Sequence, residues 1–167
     1  NMNDISKDNP EVAFKILRQW KKENKPNINW IVKHALRNEL KKGTPEALKI
    51  QGFSLSPKIE ISHFLLSHKK LKIGDSIKIS FTLTNLGYIK ENLLIDYVCF
   101  YLKSNNKRAP KTFKLGIKKL KKGESITVLK EHSFKPISTR KLYIGKHKIA
   151  LFVNGKIIAE KSFELIG

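Results

Sequence analysis

Residues 30–48, WIVKHALRNELKKGTPEAL, hold the first grouping that could do chemistry. Wound as a helix at about 100° per residue, Trp30, Lys33, His34, Arg37 and Lys41 fall within one arc of roughly 100°. Ile31, Val32, Ala35, Leu36 and Leu40 take the opposite side, where Glu39 and Lys42 interrupt the apolar pattern. An aromatic ring among cations, with no carboxylate on the arc, suits contact with a polyanion. The alternative is a plain solvated face.

A second grouping is the run KSNNKRAPKTFKLGIKKLKK (103–122), with nine basic residues and no acid. It reads as a long strand-connecting loop suited to tracking a phosphate backbone, because each Lys or Arg that neutralises a phosphate releases a counterion. Lys103, Lys107, Arg108 and Lys111 are the candidate phosphate contacts. Asn105 and Arg108 carry donors that could reach base edges in a groove. ISTRKLYIGKH (137–147) adds Arg140, Lys141, Lys146 and His147, and Tyr143 is expected to pack rather than stack.

Other chemistries find little support. Histidines 34, 63, 68, 132 and 147 include none at metal-ligand spacing with a cysteine, so no metal site is expected. There is no Gly-rich phosphate loop and no ordered Ser/His/Asp set. Asp96, in an apolar run, reads as a buried structural acid that needs a partner. The single Cys99 excludes an internal disulfide framework and suits a reducing cytoplasm. The longest apolar stretch, 93–102, is interrupted by Asp96 and too short to span a bilayer. No membrane partner is expected, although an anionic membrane surface is the second candidate for so basic a chain.

The charge balance supports the first reading. The 167 residues carry 34 Lys+Arg against 14 Asp+Glu, a net charge of +20. Self-repulsion of this size is tolerated where a polyanion neutralises it, and nucleic acid leads. A lysine-rich genome accounts for part of the excess, and clustering must account for the rest.

These groups need elements to hold them. Asn9-Pro10-Glu11 predicts a helix start, with Asn as cap, Pro in the first turn and a carboxylate at the positive end of the dipole. Val12, Ala13, Ile16, Leu17 and Trp20 then repeat at helical spacing until Pro26 ends the helix. A second helix runs through the opening stretch to Gly43, and Thr44-Pro45-Glu46 starts a short third one closed by Gly52. After Ser54 the period changes to 2. Strands are expected at 58–66, 77–83, 93–102, near 112–115, at 126–128, at 149–153 and at 156–164. Asn154-Gly155 is the preferred dipeptide of a type I′ hairpin. About seven antiparallel strands suggest an immunoglobulin-like sandwich, without the Cys–Trp–Cys core of antibody domains. The predicted fold class is α+β in two parts: a short helical repeat over 1–53, then an all-β sandwich over 54–167. So few helices bury Phe14, Ile16, Trp20, Ile31 and Leu36 poorly among themselves. Helical pairs of this kind are units of solenoids, so the chain is expected to be the C-terminal part of something longer.

NDISKDNP (3–10), WIVKHALR (30–37) and KKGTPEAL (41–48) resemble the last helical repeat of bacterial DNA alkylation repair proteins, the HEAT-like-repeat DNA glycosylases of the AlkC/AlkD group. LLIDYV (93–98), KSNNKRAPKTFKL (103–115), HSFKPISTRKLYIGKH (132–147) and FVNGK (152–156) resemble the C-terminal Ig-like domain of some AlkC-type members. Small departures are Cys99-Phe100, where valine and histidine are expected, and Asn106, where glycine is expected. The resemblance implies excision of cationic N-alkylated bases, such as 3-methyladenine or 3-methylcytosine, from duplex DNA. The family's catalytic carboxylates have no counterpart in these residues, so this chain is expected to hold no catalytic residue and to be inactive alone. Duplex DNA is the implied partner, with no cofactor, no membrane, a monomeric state and a cytoplasmic location. The alternative is a non-catalytic DNA-binding or scaffolding module.

Overall fold

The computed structural model describes residues 2–167. The chain forms two compact units that meet in sequence between Ser56 and Pro57.

The first unit holds five short helices: α1 (Met2–Asp8), α2 (Pro10–Glu23), α3 (Pro26–Ala35), α4 (Arg37–Lys42) and α5 (Pro45–Ile50). Proline opens α2, α3 and α5, where the missing N–H costs nothing because first-turn donors lack helical partners anyway. Asn9 caps α2, with its Oδ1 3.5 Å from the Val12 N–H. Asn24 (φ 50°) and Gly43 (φ 74°) close α2 and α4 in the left-handed conformation. Three expectations need correction. Pro26 starts α3 rather than only ending α2. A helix, α1, precedes Asn9. The helix expected through residue 42 breaks at Leu36, whose ψ of −1° lies off the helical value. Beyond the break, Glu39 turns inward and is buried, accepting from Lys42 Nζ at 2.6 Å and Thr44 Oγ1 at 2.7 Å. The flaw in the apolar pattern is therefore a buried carboxylate with two donors. Phe14, Leu17, Val32, Ala35, Leu36, Ala47 and Ile50 form a small core, while Trp20 is half-buried and Ile31 is exposed.

The second unit has eight strands, one more than expected: β1 (Ile59–Leu66), β2 (Lys70–Lys72), β3 (Ser76–Asn85), β4 (Glu91–Leu102), β5 (Arg108–Leu120), β6 (Ser125–Ser133), β7 (Gly145–Val153) and β8 (Lys156–Ile166). They form two sheets, β1-β3-β6 and β2-β8-β7-β4-β5. All pairs are antiparallel except β2 with β8. Ile77, Ile79, Phe81 and Leu83 from the small sheet meet Leu93, Ile95, Tyr97, Cys99, Ile149 and Leu151 from the large one in a shared core. This is the expected sandwich.

The main correction concerns 103–122. Within it, residues 103–107 and 121–122 connect strands, and 108–120 form the long edge strand β5. Pro110 fits an edge, which has one row of hydrogen bonds to spare, and lysines there keep a second chain from pairing. A bulge shifts the β4–β5 register, so that Ile95 faces Gly116 while Asp96 faces Lys114. Asp96 is buried, as expected of a structural acid.

Candidate nucleic-acid interface

On the helical unit, Lys33 and His34 lie on α3 and Arg37 and Lys41 on α4, all exposed. Trp30 is 66% exposed and stacks on His34 with centroids 5.3 Å apart, so its large ring serves the surface rather than the core. Among the described residues no carboxylate lies within ion-pair distance of Lys33, Arg37 or Lys41. The same unit pairs Arg18 with Glu46, Lys42 with Glu39 and Lys49 with Glu46. The cations of the arc stay unneutralised, as do Lys15, Lys21 and Lys22 on α2, among the described residues.

On the sandwich, the β4–β5 connection is a tight turn. Lys103 N donates to Lys107 O at 2.9 Å and Asn106 N to Lys103 O at 3.0 Å. Asn106 has a φ of 60°, which explains why asparagine replaces the expected glycine: it tolerates the left-handed region better than most side chains. Asn105 Oδ1 accepts the Lys107 N–H at 3.1 Å, so its carbonyl oxygen shapes the turn. Arg108 Nε donates to Lys146 O at 3.0 Å and so joins two of the expected contacts. Lys103, Lys107, Arg108, Lys111, Lys141 and Lys146 are all exposed.

His147 is a correction. It is fully buried, with Nδ1 3.3 Å from the Leu102 N–H and Nε2 2.9 Å from the Tyr143 carbonyl. A backbone N–H can only donate and a carbonyl can only accept, so the ring is the neutral Nε2–H tautomer. Burial lowers its pKa first, Arg108 adds to this, and the Tyr143 carbonyl opposes it. This histidine is structural.

Arg140 also departs from a free surface cation. Its guanidinium carbon lies 4.3 Å from the centroid of the Tyr101 ring, and Nη1 donates to the Tyr101 hydroxyl. The Tyr101 hydroxyl lies 2.8 Å from His132 Nε2, and the Tyr97 hydroxyl lies 2.8 Å from His132 Nδ1. Burial, then Arg140, Lys130 and Lys111, push the His132 pKa down to about 4, so the imidazole is neutral at pH 7. This row opens on a cleft of about 360 Å³ lined by Tyr97, Phe113, Lys114, Lys130, His132 and Arg140 among others. Lys114 and Lys130 were not singled out in the sequence; they come from the edges of different sheets and meet only through folding.

No helix is long and apolar enough to cross a membrane, and no group of His, Cys, Asp and Glu is arranged to hold a metal among the described residues.

The family described as "Uncharacterised protein YhaZ, C-terminal Ig-like domain" matches residues 60–167. YhaZ of Bacillus subtilis (strain 168) is 32% identical over 165 residues, which cover 99% of this chain and 45% of YhaZ. The Pseudomonas fluorescens alkylpurine DNA glycosylase AlkC, solved bound to DNA containing an abasic site analog, superposes with a TM-score of 0.94 at 34% identity. That match covers 99% of this chain and 46% of AlkC, so the chain spans less than half the length of either relative. A β-glucosidase from Listeria innocua matches 66% of the chain, and 16% of its own, at 18% identity and a TM-score of 0.56. This last likeness is of fold alone.

Proposed function

This chain belongs to the family of the YhaZ C-terminal Ig-like domain, and we propose that it forms the C-terminal DNA-binding part of a DNA alkylation repair glycosylase. The observation that carries this reading is the overlap of nearly the whole chain, helices and sandwich alike, with a glycosylase solved on DNA. On this reading the helical unit is the terminal HEAT-like repeat of a solenoid, and its exposed arc of Trp30, Lys33, His34, Arg37 and Lys41 lies against the duplex. The sandwich adds the β4–β5 turn and the start of β5, with Lys103, Asn105, Lys107, Arg108 and Lys111. Arg140, Lys141 and Lys146 complete the contacts.

The chemistry suits a division of labour. A base carrying a cationic N-alkyl group, such as 3-methyladenine or 3-methylcytosine, is already a good leaving group. Its excision asks mainly for held, distorted DNA and for negative charge near the sugar as positive charge develops there. The residues here supply the holding. Glu39 is tied to Lys42 and Thr44, and Asp96 is buried within β4, so neither is free to face a sugar. We assign the catalytic carboxylates to the part of the relatives that this chain does not span.

Charge reversal tests the assignment. Lys33→Glu, Arg37→Glu and Lys41→Glu together, or Lys103→Glu, Lys107→Glu and Lys111→Glu together, should each weaken duplex binding at least 10-fold at low salt. The same charge change at Lys58, Lys78 and Lys161 should matter less. Equal losses in all three variants would mean that only net charge acts, and the assignment would fall.

A further inference from the structure

We propose that the cleft beside Tyr97 and His132 is a phosphate receptor centred on Arg140. The proposal rests on the reading of this chain as a DNA-binding protein and gives that reading a specific anchor. Four cations line the cleft, Lys114, Lys130, Lys135 and Arg140, and Glu131 is the one carboxylate lining it. The excess is therefore local, not merely a share of the overall charge.

Arg140 differs from the other cations lining the cleft because it is held in place. Its guanidinium is stacked on Tyr101 and hydrogen-bonded to the same residue's hydroxyl. Tyr101 is itself buried and fixed through His132 to Tyr97, so three side chains of the sandwich interior support one cation at the cleft wall. Among the described residues no carboxylate lies within ion-pair distance of it. A half-buried arginine ordinarily takes a carboxylate partner, and this one takes a phenol, which leaves its charge uncompensated.

The geometry selects an oxyanion with several oxygens. A guanidinium offers five donors in a planar fork that matches phosphate, and here only Nη1 is engaged by a side chain. Because the fork is already ordered, a ligand does not have to freeze a flexible side chain on arrival. Lys114 and Lys130 reach the cleft from β5 and β6, the neighbouring edges of the two sheets, and supply mobile charge around the fixed one. A phosphodiester of a DNA strand and a free phosphate compound share this chemistry.

The test uses the 167-residue chain and two probes, a short duplex and inorganic pyrophosphate. Arg140→Met should weaken duplex binding at least 5-fold and reduce the magnitude of the log–log salt slope by about one. Arg140→Lys should recover part of the affinity, and Lys161→Met should change it less than 2-fold. Tyr101→Phe keeps the ring and removes the hydroxyl, and should give an intermediate loss. Should Arg140→Met fail to fold, the exposed pair Lys114→Gln and Lys130→Gln carries the same prediction. Pyrophosphate titrated into wild type should shift the Arg140 Nε–H resonance saturably, and the duplex should displace it. A pyrophosphate shift with unaltered duplex affinity in Arg140→Met identifies a free phosphate compound as the ligand. Unaltered duplex affinity in that variant together with no pyrophosphate shift overturns the receptor, while wild-type binding stays intact. No duplex binding by wild type fails the underlying reading instead, and the pyrophosphate arm then decides the cleft separately.

Discussion

The hydroxyl of Tyr101 lies 2.8 Å from Nε2 of His132, deep in the sandwich and close behind the Arg140 guanidinium. The histidine is thus enclosed by two phenols with a permanent cation nearby, and it gains nothing by taking a proton.

Stability should therefore fall with acidification above the carboxylate range. The His132 pKa is pushed down to about 4, whereas an unfolded histidine titrates near 6.5. Between those values the unfolded chain binds a proton that the folded chain refuses, so stability is lost as pH drops through that window. The full effect is about 3 kcal/mol by pH 4, and buried His147 shifts in the same direction. Urea midpoints at pH 7.5, 6 and 5 should decrease in that order. Equal midpoints at pH 7.5 and 5 would show that His132 is not held neutral.

Asn154 should be among the costliest polar residues to replace. Its Oδ1 accepts the Leu94 N–H at 2.7 Å and its Nδ2 donates to Asn92 O at 3.2 Å, while its backbone sits at φ 47°. Asn154→Ala strands a buried strand donor and strains the turn, a loss of about 2–4 kcal/mol. Asn154→Gly relieves the strain alone and should lose less. Thermal melts of the two variants check the order, and an alanine variant as stable as wild type would contradict the account.

Excision should not accompany binding. The chain incubated with methylated duplex should release no 3-methyladenine, because the residues assigned to DNA contact include no carboxylate. Chromatography of the released bases is sufficient, and a free-base peak above the no-protein control would mean that a catalytic group lies on this chain.

How much of this was legible in the sequence depends on the range over which each feature is encoded. Asn154-Gly155 announced its hairpin because a type I′ turn needs positive φ at both positions, and the two sit at 47° and 76°. Pro10 and Gly43 marked helix ends for similarly local reasons. Strand β5 was legible only in its middle, near 112–115, where Phe113 and Leu115 alternate with polar residues: the lysines on either side resemble a loop, and the register shift opposite Ile95 and Asp96 leaves no mark in the sequence. Strand β2 is three residues long and exists through parallel pairing with β8, a contact some 94 positions away in sequence, from Lys70 to Glu164. The Arg140 cleft was illegible for the same reason. Tyr97, Phe113, Lys130 and Arg140 come from three strands and a connection, and only the packing of the two sheets brings them together.

Duplex affinity measured against salt concentration tests the central claim most directly. If exposed, unpaired cations on the helical arc and on the β4–β5 turn carry the binding, log K should fall linearly with log salt. The slope should be on the order of −0.9 for each phosphate neutralised, and reversing the charge of either group should make it shallower. A flat slope, or no binding at low salt, would contradict the claim and leave Trp30, Lys33, His34, Arg37 and Lys41 as a solvated helix face.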